Sequence, residues 1–130
     1  MDKSDVKVEL KQLETAFKRF QEALKRDAVK DDLAIDATIQ RFEFTYELCW
    51  KTMKRFLALE GVIVATPKDV FKEAFRLGWL NEGDAYWSQM IKDRNLTSHT
   101  YDQKIALEVY SRIKNYESGY GRLLKFLEGK

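Results

Sequence analysis

The chain has 130 residues, of which 45% are hydrophobic and 34% are charged. A chain of this length and composition can bury a core without disulfides, so we expect one globular domain over residues 1–130 and exclude a disordered protein. The formal charge of +2 is too small to indicate a nucleic-acid partner by itself.

The expected compartment follows from cysteine usage and from the first residues. The single cysteine, Cys49, excludes an intrachain disulfide and is typical of the reducing cytoplasm. The opening stretch MDKSDVKVELKQ is charged and lacks the apolar run of a signal peptide. No stretch approaches the roughly 18 uncharged apolar residues of a membrane span. We therefore predict a cytoplasmic protein with no membrane partner.

Three long stretches have the apolar spacing of amphipathic helices, in steps of three and four residues. The first row is Val6, Leu10, Leu13, Phe17, Phe20 and Leu24. The second row is Ile35, Ile39, Phe42, Tyr46, Cys49, Met53 and Phe56. The third row is Ala106, Val109, Ile113, Tyr116, Tyr120, Leu123 and Leu127. This period suits long helices packed at about +20° and predicts an all-α, up-and-down four-helix bundle with an additional short helix.

Two shorter helices are predicted between the second and the last long helix. Gly61 is the expected end of the second helix. Thr66 followed by Pro67 is typical of a helix start, with threonine as the N-cap and proline at the first helical position. Gly78 is expected to end this helix, and Asn81 to cap the next one, EGDAYWSQMIKDR. Its last turn carries an arginine that continues the apolar face.

The last long helix has a start signal of its own. Thr100 fits the N-cap and Gln103 the third helical residue of a capping box. Asp102 in the first turn suits the positive end of the helix dipole. On this interpretation His99 precedes the helix and Tyr101 lies on its first turn.

The stretch DRNLTSHTYD thus forms a corner whose side chains allow two interpretations. Taken singly, each residue has an ordinary structural role. Arg94 suits the negative end of a helix dipole, and His99 suits a loop in which its ring is hydrogen-bonded to nearby backbone. Tyr101 suits a position where the ring is packed and the hydroxyl is solvated. Taken together, the arginine and the helix N-terminus form a candidate phosphate site in which imidazole transfers protons near pH 7. The available hydroxyls belong to Thr97, Ser98 and Thr100. Spacing alone leaves both interpretations open.

Other sites are less strongly indicated. One histidine and one cysteine cannot form an ordinary zinc site, and no glycine-rich phosphate loop occurs, so neither metal nor cofactor is predicted. Cys49 lies on the apolar face of its helix, which argues against a nucleophilic pair with His99. We interpret RFEFTYELCWKTMKRFL as core or subunit interface rather than a base-stacking surface. The residues interpreted as a solvated basic face are Arg112, Lys114, Arg122 and Lys125.

The corner resembles the signature of HEPN domains. Residues 94–101, RNLTSHTY, match Arg-x4-His-x-Tyr through Arg94, His99 and Tyr101. Asn95 fits the polar residue often found directly after the arginine. The rest of the chain resembles the subfamily of substrate-binding subunits of two-component nucleotidyltransferases. This resemblance covers essentially the whole chain, including RFEFTYELCWKTMKRFL and TPKDVFKEAFRLGWL.

The resemblance implies a helical bundle that dimerises and a small nucleotidyltransferase as its partner. In related pairs the HEPN protein is a metal-independent ribonuclease toxin, and the partner silences it by attaching AMP to the motif tyrosine. Carried over to this chain, Arg94 and His99 are catalytic and Tyr101 is the modified residue. The supporting residues are Asn95, Ser98, Thr100 and Asp102. The alternative is a non-catalytic subunit that presents a substrate or nucleotide to the partner enzyme.

The residues support a dimer for two further reasons. Cleavage of RNA by its own 2′-hydroxyl needs a base, an acid and charge stabilisation, but no metal. One chain offers a single histidine, whereas a two-fold dimer that joins two corners offers two. The second helix also has apolar residues outside its core row, which predict a second buried surface. They are Phe44, Leu48, Trp50 and Leu57. The residues expected to contact the nucleotidyltransferase are Phe44, Trp79 and Trp87.

Overall fold

The secondary structure is helical, with no strand, in the part of the chain that this computed structural model describes, residues 3–130. The helices are α1 (Lys3–Leu24), α2 (Leu33–Leu59), α3 (Pro67–Arg76), α4 (Asp84–Leu96), α5 (Gln103–Ile113) and α6 (Glu117–Glu128). The 3₁₀ turns are Thr97–His99 after α4 and Lys114–Tyr116 between α5 and α6. The all-α prediction is confirmed, and the four-helix arrangement and the dimer stay predictions. Within residues 3–130, no helix has the length and hydropathy that crossing a bilayer requires.

The predicted apolar rows form the core. The helix α1 packs along α2 and α6, and α2 also packs against α3 and α5. Phe20, Phe42 and Met53 have no exposed surface. Phe42 also stacks on Tyr116, with 5.8 Å between ring centroids. Cys49 is fully buried, and burial raises the pKa of its thiol, so its thiolate is disfavoured and the residue belongs to the core as predicted.

The signals around α3 place its ends correctly. The hydroxyl oxygen of Thr66 accepts a hydrogen bond from the backbone N–H of Asp69 at 3.2 Å, and Pro67 is the first helical residue. Gly61 and Gly78 follow α2 and α3 with φ of 83° and 80°. Only glycine adopts this left-handed conformation without a steric penalty, so both glycines end their helices as predicted.

The start of α4 differs from the prediction. The N-cap is Gly83 and not Asn81. The carbonyl of Gly83 accepts from the backbone N–H of Tyr86 at 3.1 Å and of Trp87 at 3.4 Å. The indole N–H of Trp87 donates to the carbonyl of Glu82 at 3.1 Å, which holds the preceding segment outside the helix.

The burial of the tryptophans corrects the predicted partner surface. Trp79 and Trp87 are only 7% and 3% exposed, so neither is available to a partner. Trp87 stacks on Phe71 of α3 with 4.6 Å between ring centroids, because the short helices add a second layer to the core. Leu57, predicted to lie outside the core row, is also fully buried. Phe44 is 46% exposed and remains a candidate contact residue.

The last long helix of the prediction is divided in the structure. The 3₁₀ turn Lys114–Tyr116 separates α5 from α6. Apolar spacing could not reveal the break, because Ile113, Tyr116 and Tyr120 on both sides of it are all buried in one continuous row. The hydroxyl of Tyr86 donates to the carbonyl of Asn115 at 3.2 Å and so ties the beginning of α4 to this turn.

Candidate active site at the corner between α4 and α5

Arg94 lies in the last turn of α4 and is held by two carboxylates of α2. Its Nε donates to Oε1 of Glu47 at 3.1 Å, and its Nη1 lies 3.9 Å from Oε2 of Glu43. Nη1 also donates to Oγ1 of Thr97 at 2.9 Å. Nη2 has no hydrogen-bond partner among the described side chains, and 27% of the side chain is exposed. The guanidinium is therefore fixed in orientation while one nitrogen stays available to a ligand.

Thr97 joins Arg94 to the 3₁₀ turn that follows it. Its hydroxyl oxygen accepts from Arg94 Nη1, and its O–H donates to the carbonyl of Arg94 at 2.6 Å. The hydroxyl of Thr100 donates to the carbonyl of Thr97 at 3.0 Å. The hydroxyls of Thr97 and Thr100, assigned above to phosphate binding, thus make internal hydrogen bonds. Ser98 is exposed.

The N-cap of α5 is Asp102 and not Thr100. Oδ1 of Asp102 accepts from the backbone N–H of Lys104 at 2.9 Å and of Ile105 at 3.4 Å. Thr100 lies two residues before this cap, in the preceding turn, where its hydroxyl donates to the carbonyl of Thr97. A carboxylate at this end also meets the positive end of the helix dipole. Asp102 therefore has a structural role that the capping-box prediction gave to Thr100.

His99 and Tyr101 lie on the exposed side of the corner. His99 ends the 3₁₀ turn and its carbonyl accepts from the backbone N–H of Asp102 at 3.1 Å. Tyr101 precedes α5 rather than lying on its first turn, and it is 86% exposed. The two rings are 6.2 Å apart between centroids with an interplanar angle of 65°. Asn95, on the last turn of α4, is exposed as well.

Glu43 and Glu47 are part of this site and were not predicted from the sequence. They lie four residues apart on one face of α2, which was the available signal. Arg94 is 47 residues away from Glu47 along the chain, and no spacing rule reaches that far. Oε2 of Glu47 also accepts from the indole N–H of Trp50 at 3.2 Å. Ion pairs between partly exposed side chains contribute up to about 1 kcal/mol to the stability of the fold, so the main effect of Glu43 and Glu47 is to orient Arg94.

Asp93 is the second feature that was not predicted. It is completely buried, and Oδ1 accepts from Nε and Nη2 of Arg112, each at 2.8 Å. Its Oδ2 accepts from the hydroxyl of Tyr116 at 2.5 Å. The hydrogen bond to Asp93 raises the pKa of Arg112, and burial, aided by the same carboxylate, raises the pKa of Tyr116. The assignment of Arg112 to a solvated face is therefore wrong, because its guanidinium turns inward to neutralise Asp93.

The family of the chain follows from comparison with known proteins. A family model described as nucleotidyltransferase substrate binding protein like matches residues 8–129. The chain belongs to this family. Over 94 residues it is 37% identical to a Haemophilus influenzae protein named probable ribonuclease HepT, a match that covers 68% of this chain and 64% of the relative. The chain thus spans less than two thirds of that relative's length.

Solved structures support the same family. The chain is similar to HI0074 of Haemophilus influenzae, described as the fold of a nucleotidyltransferase substrate-binding domain, with 31% identity, a TM-score of 0.80 and coverage of 92% and 98% of the two chains. A protein of Thermus thermophilus is 34% identical, with a TM-score of 0.78 and coverage of 87% and 96%. A tri-AMPylated HEPN toxin of Shewanella oneidensis, in complex with an MNT antitoxin, has a TM-score of 0.73 over both full chains at 14% identity, which shows the fold alone. The resemblance to the family of nucleotidyltransferase substrate-binding subunits is confirmed.

Proposed function

We propose that this chain is the ribonuclease subunit of a two-component nucleotidyltransferase system. It cleaves RNA without a metal, and a small nucleotidyltransferase silences it by attaching AMP to Tyr101. The observation that carries the proposal is the corner itself, where an oriented arginine lies in the last turn of α4 and an exposed histidine, in ring contact with an exposed tyrosine, follows five residues later. The relative named probable ribonuclease HepT supports the ribonuclease part of the proposal, and the AMPylated HEPN toxin shares the fold.

In this mechanism Arg94 and His99 act on one phosphodiester. The imidazole takes the proton of a ribose 2′-hydroxyl, whose oxygen attacks the adjacent phosphorus. Arg94, through the nitrogen left free by Glu47 and Thr97, stabilises the negative charge that grows on the phosphate oxygens. The 5′-oxygen leaves with a proton, and the products end in a 2′,3′-cyclic phosphate and a 5′-hydroxyl.

A homodimer completes the site in this proposal. One imidazole cannot be base and acid in the same step, whereas two corners that face each other across a two-fold axis supply both. Phe44 is an exposed apolar residue on α2 next to Glu43, so its burial accompanies dimer formation or partner binding. Light scattering of the purified protein tests this, since a monomer at micromolar concentration would remove the second histidine.

Tyr101 serves as the switch. At 86% exposure its hydroxyl is accessible to a nucleotidyltransferase that carries ATP. The attached AMP adds bulk and a negative phosphodiester close to His99, where the phosphates of RNA have to lie. The adenylate phosphate can also occupy the free nitrogen of Arg94, as an RNA phosphate would. In this mechanism the two histidines of the dimer make the proton transfers, and Tyr101 has no part in them.

Cleavage of RNA in EDTA tests the catalytic part of the proposal. Wild-type protein is expected to cleave and to leave 2′,3′-cyclic phosphate ends, and His99→Ala is expected to be inactive with unchanged helicity. Gln103→Ala is the matched control, because this exposed residue lies just beyond the corner. Full activity of His99→Ala, or a strict need for a divalent ion, would overturn this mechanism. Absence of cleavage by wild type would favour the substrate-presenting subunit instead.

A further inference from the structure

Asp93 and Arg94 are neighbours on α4 but have different surroundings. Successive residues on an α-helix point about 100° apart. Asp93 is therefore fully buried, whereas Arg94 reaches Glu47 on α2 with part of its side chain exposed. Any rotation of the last turn of α4 has to move both side chains together, so whatever fixes Asp93 also fixes the direction of Arg94.

The groups that fix Asp93 come from the two ends of one short segment. Arg112 lies in the last turn of α5, and Tyr116 ends the 3₁₀ turn before α6. Arg112 donates to Oδ1 of Asp93 at 2.8 Å, and the hydroxyl of Tyr116 donates to Oδ2 at 2.5 Å. Gln89, which also lies on α4, donates to Oδ1 over a longer distance of 3.4 Å. A buried carboxylate without such donors is strongly unfavourable, so the side chain has no alternative position of similar energy.

We propose that Asp93 is a positioning residue that sets the place of the Arg94 guanidinium by locking the rotation of α4 against Arg112 and Tyr116. The kinetic consequence rests on the ribonuclease function proposed above, whereas the geometric consequence does not. A group about 6 Å from a helix axis moves by about 1 Å when the helix turns by about 10°. A displacement of about 1 Å in a catalytic group can lower the rate by about 100-fold.

The structure supplies a matched control for this inference. Tyr86 also joins α4 to the same 3₁₀ turn, through its hydroxyl and the carbonyl of Asn115 at 3.2 Å. It lies two helical turns before Arg94, near the start of α4. Tyr86→Phe and Tyr116→Phe each remove one hydroxyl that bridges the same two elements, but only Tyr116→Phe takes a donor from Asp93. A purely structural role predicts similar effects for the two variants, and a positioning role predicts different ones.

The first readout is kinetic and uses the full chain at a temperature well below the Tm of every variant. Asp93→Asn keeps the shape of the side chain and loses its charge, and its kcat is expected to fall by about 10- to 100-fold with little change in KM. The kcat of Tyr116→Phe is expected to fall less than that of Asp93→Asn, and the kcat of Tyr86→Phe is expected to equal that of wild type. Tyr116→Phe keeps the buried ring and so tests the same claim if Asp93→Asn does not fold.

The second readout does not need activity. Hydrogen exchange of the Nε–H of Arg94, which bonds Glu47, is measured by NMR in each folded variant. Faster exchange in Asp93→Asn and Tyr116→Phe than in Tyr86→Phe supports the inference. Unchanged exchange and kcat in Asp93→Asn, or equal changes in Tyr86→Phe, overturn it. If wild type does not cleave RNA, the proposed function fails and the exchange rates alone decide the role of Asp93.

Discussion

Replacing Thr97 with valine removes one buried hydroxyl while nearly keeping the shape of the side chain. That hydroxyl accepts from Nη1 of Arg94 at 2.9 Å and donates to the carbonyl of Arg94 at 2.6 Å. A hydrogen bond to a charged donor contributes roughly 1.5–3 kcal/mol and a neutral one roughly 0.5–1.5 kcal/mol. Arg94 is partly exposed, so water replaces some of the first contribution. We expect Thr97→Val to lower the free energy of unfolding by roughly 1–3 kcal/mol.

Equilibrium unfolding in urea, followed by far-UV circular dichroism, measures this loss. Thr100→Val is the control, because its half-buried hydroxyl donates only to the carbonyl of Thr97 at 3.0 Å. It is expected to lose roughly 0.5–1 kcal/mol, with the same dependence on urea concentration as wild type. Equal losses in the two variants, or a Thr97→Val protein as stable as wild type, would show that the two hydrogen bonds between this hydroxyl and Arg94 do not stabilise the fold.

Three further changes test the local structure by the same urea titration. Asp102→Ala removes the N-cap of α5 and is expected to lower the free energy of unfolding by about 1 kcal/mol; no loss would mean that the cap lies elsewhere. Gly119→Ala places a methyl group against the phenol of Tyr86 and is expected to lower the free energy of unfolding by roughly 1–3 kcal/mol. The hydroxyl oxygen of Tyr86 is the atom nearest to the new methyl group, so adding Tyr86→Phe should restore part of this loss. Burial raises the pKa of Tyr86 from 10.0 to about 12. The unfolded chain therefore loses this proton first, so the associated stability is present below pH 10 and is lost between pH 10 and about 12. Tyr86→Phe should make this alkaline decline shallower, and an unchanged decline would contradict the assignment.

The all-α fold class was predictable from the sequence because its causes are local or periodic. The apolar rows of the long helices are recognisable from steps of three and four residues, and Thr66, Pro67 and Gly78 mark the ends of α3 through their own backbone preferences. Thr100 and Asp102 show the limit of such rules. Both residue types cap helices well, so the sequence offers two possible starts for α5. The structure begins the helix after Asp102, whose carboxylate accepts from the backbone N–H of Lys104.

The candidate site was predictable only where its residues are close in sequence. Arg94, His99 and Tyr101 fall within eight consecutive residues, and so their spacing alone predicts that they share one corner. Glu47, which orients Arg94, comes from another helix, and so its contribution depends on how α2 packs against α4. Arg112 was misassigned for the same reason. Its position in the helical pattern predicted exposure, but its guanidinium binds the buried carboxylate of Asp93, which only the tertiary structure brings next to it.

Silencing of the proposed ribonuclease by AMP on Tyr101 is measurable in one set of reactions. The RNA cleavage rate in EDTA is recorded for wild type and Tyr101→Phe before and after incubation with the nucleotidyltransferase partner, ATP and magnesium, with intact mass followed in the same samples. Wild type is expected to gain one or more AMP units and to lose activity in proportion. Tyr101→Phe should gain none and keep its activity. Wild type that gains AMP and cleaves RNA as before, or Tyr101→Phe that is modified and silenced like wild type, would contradict the account.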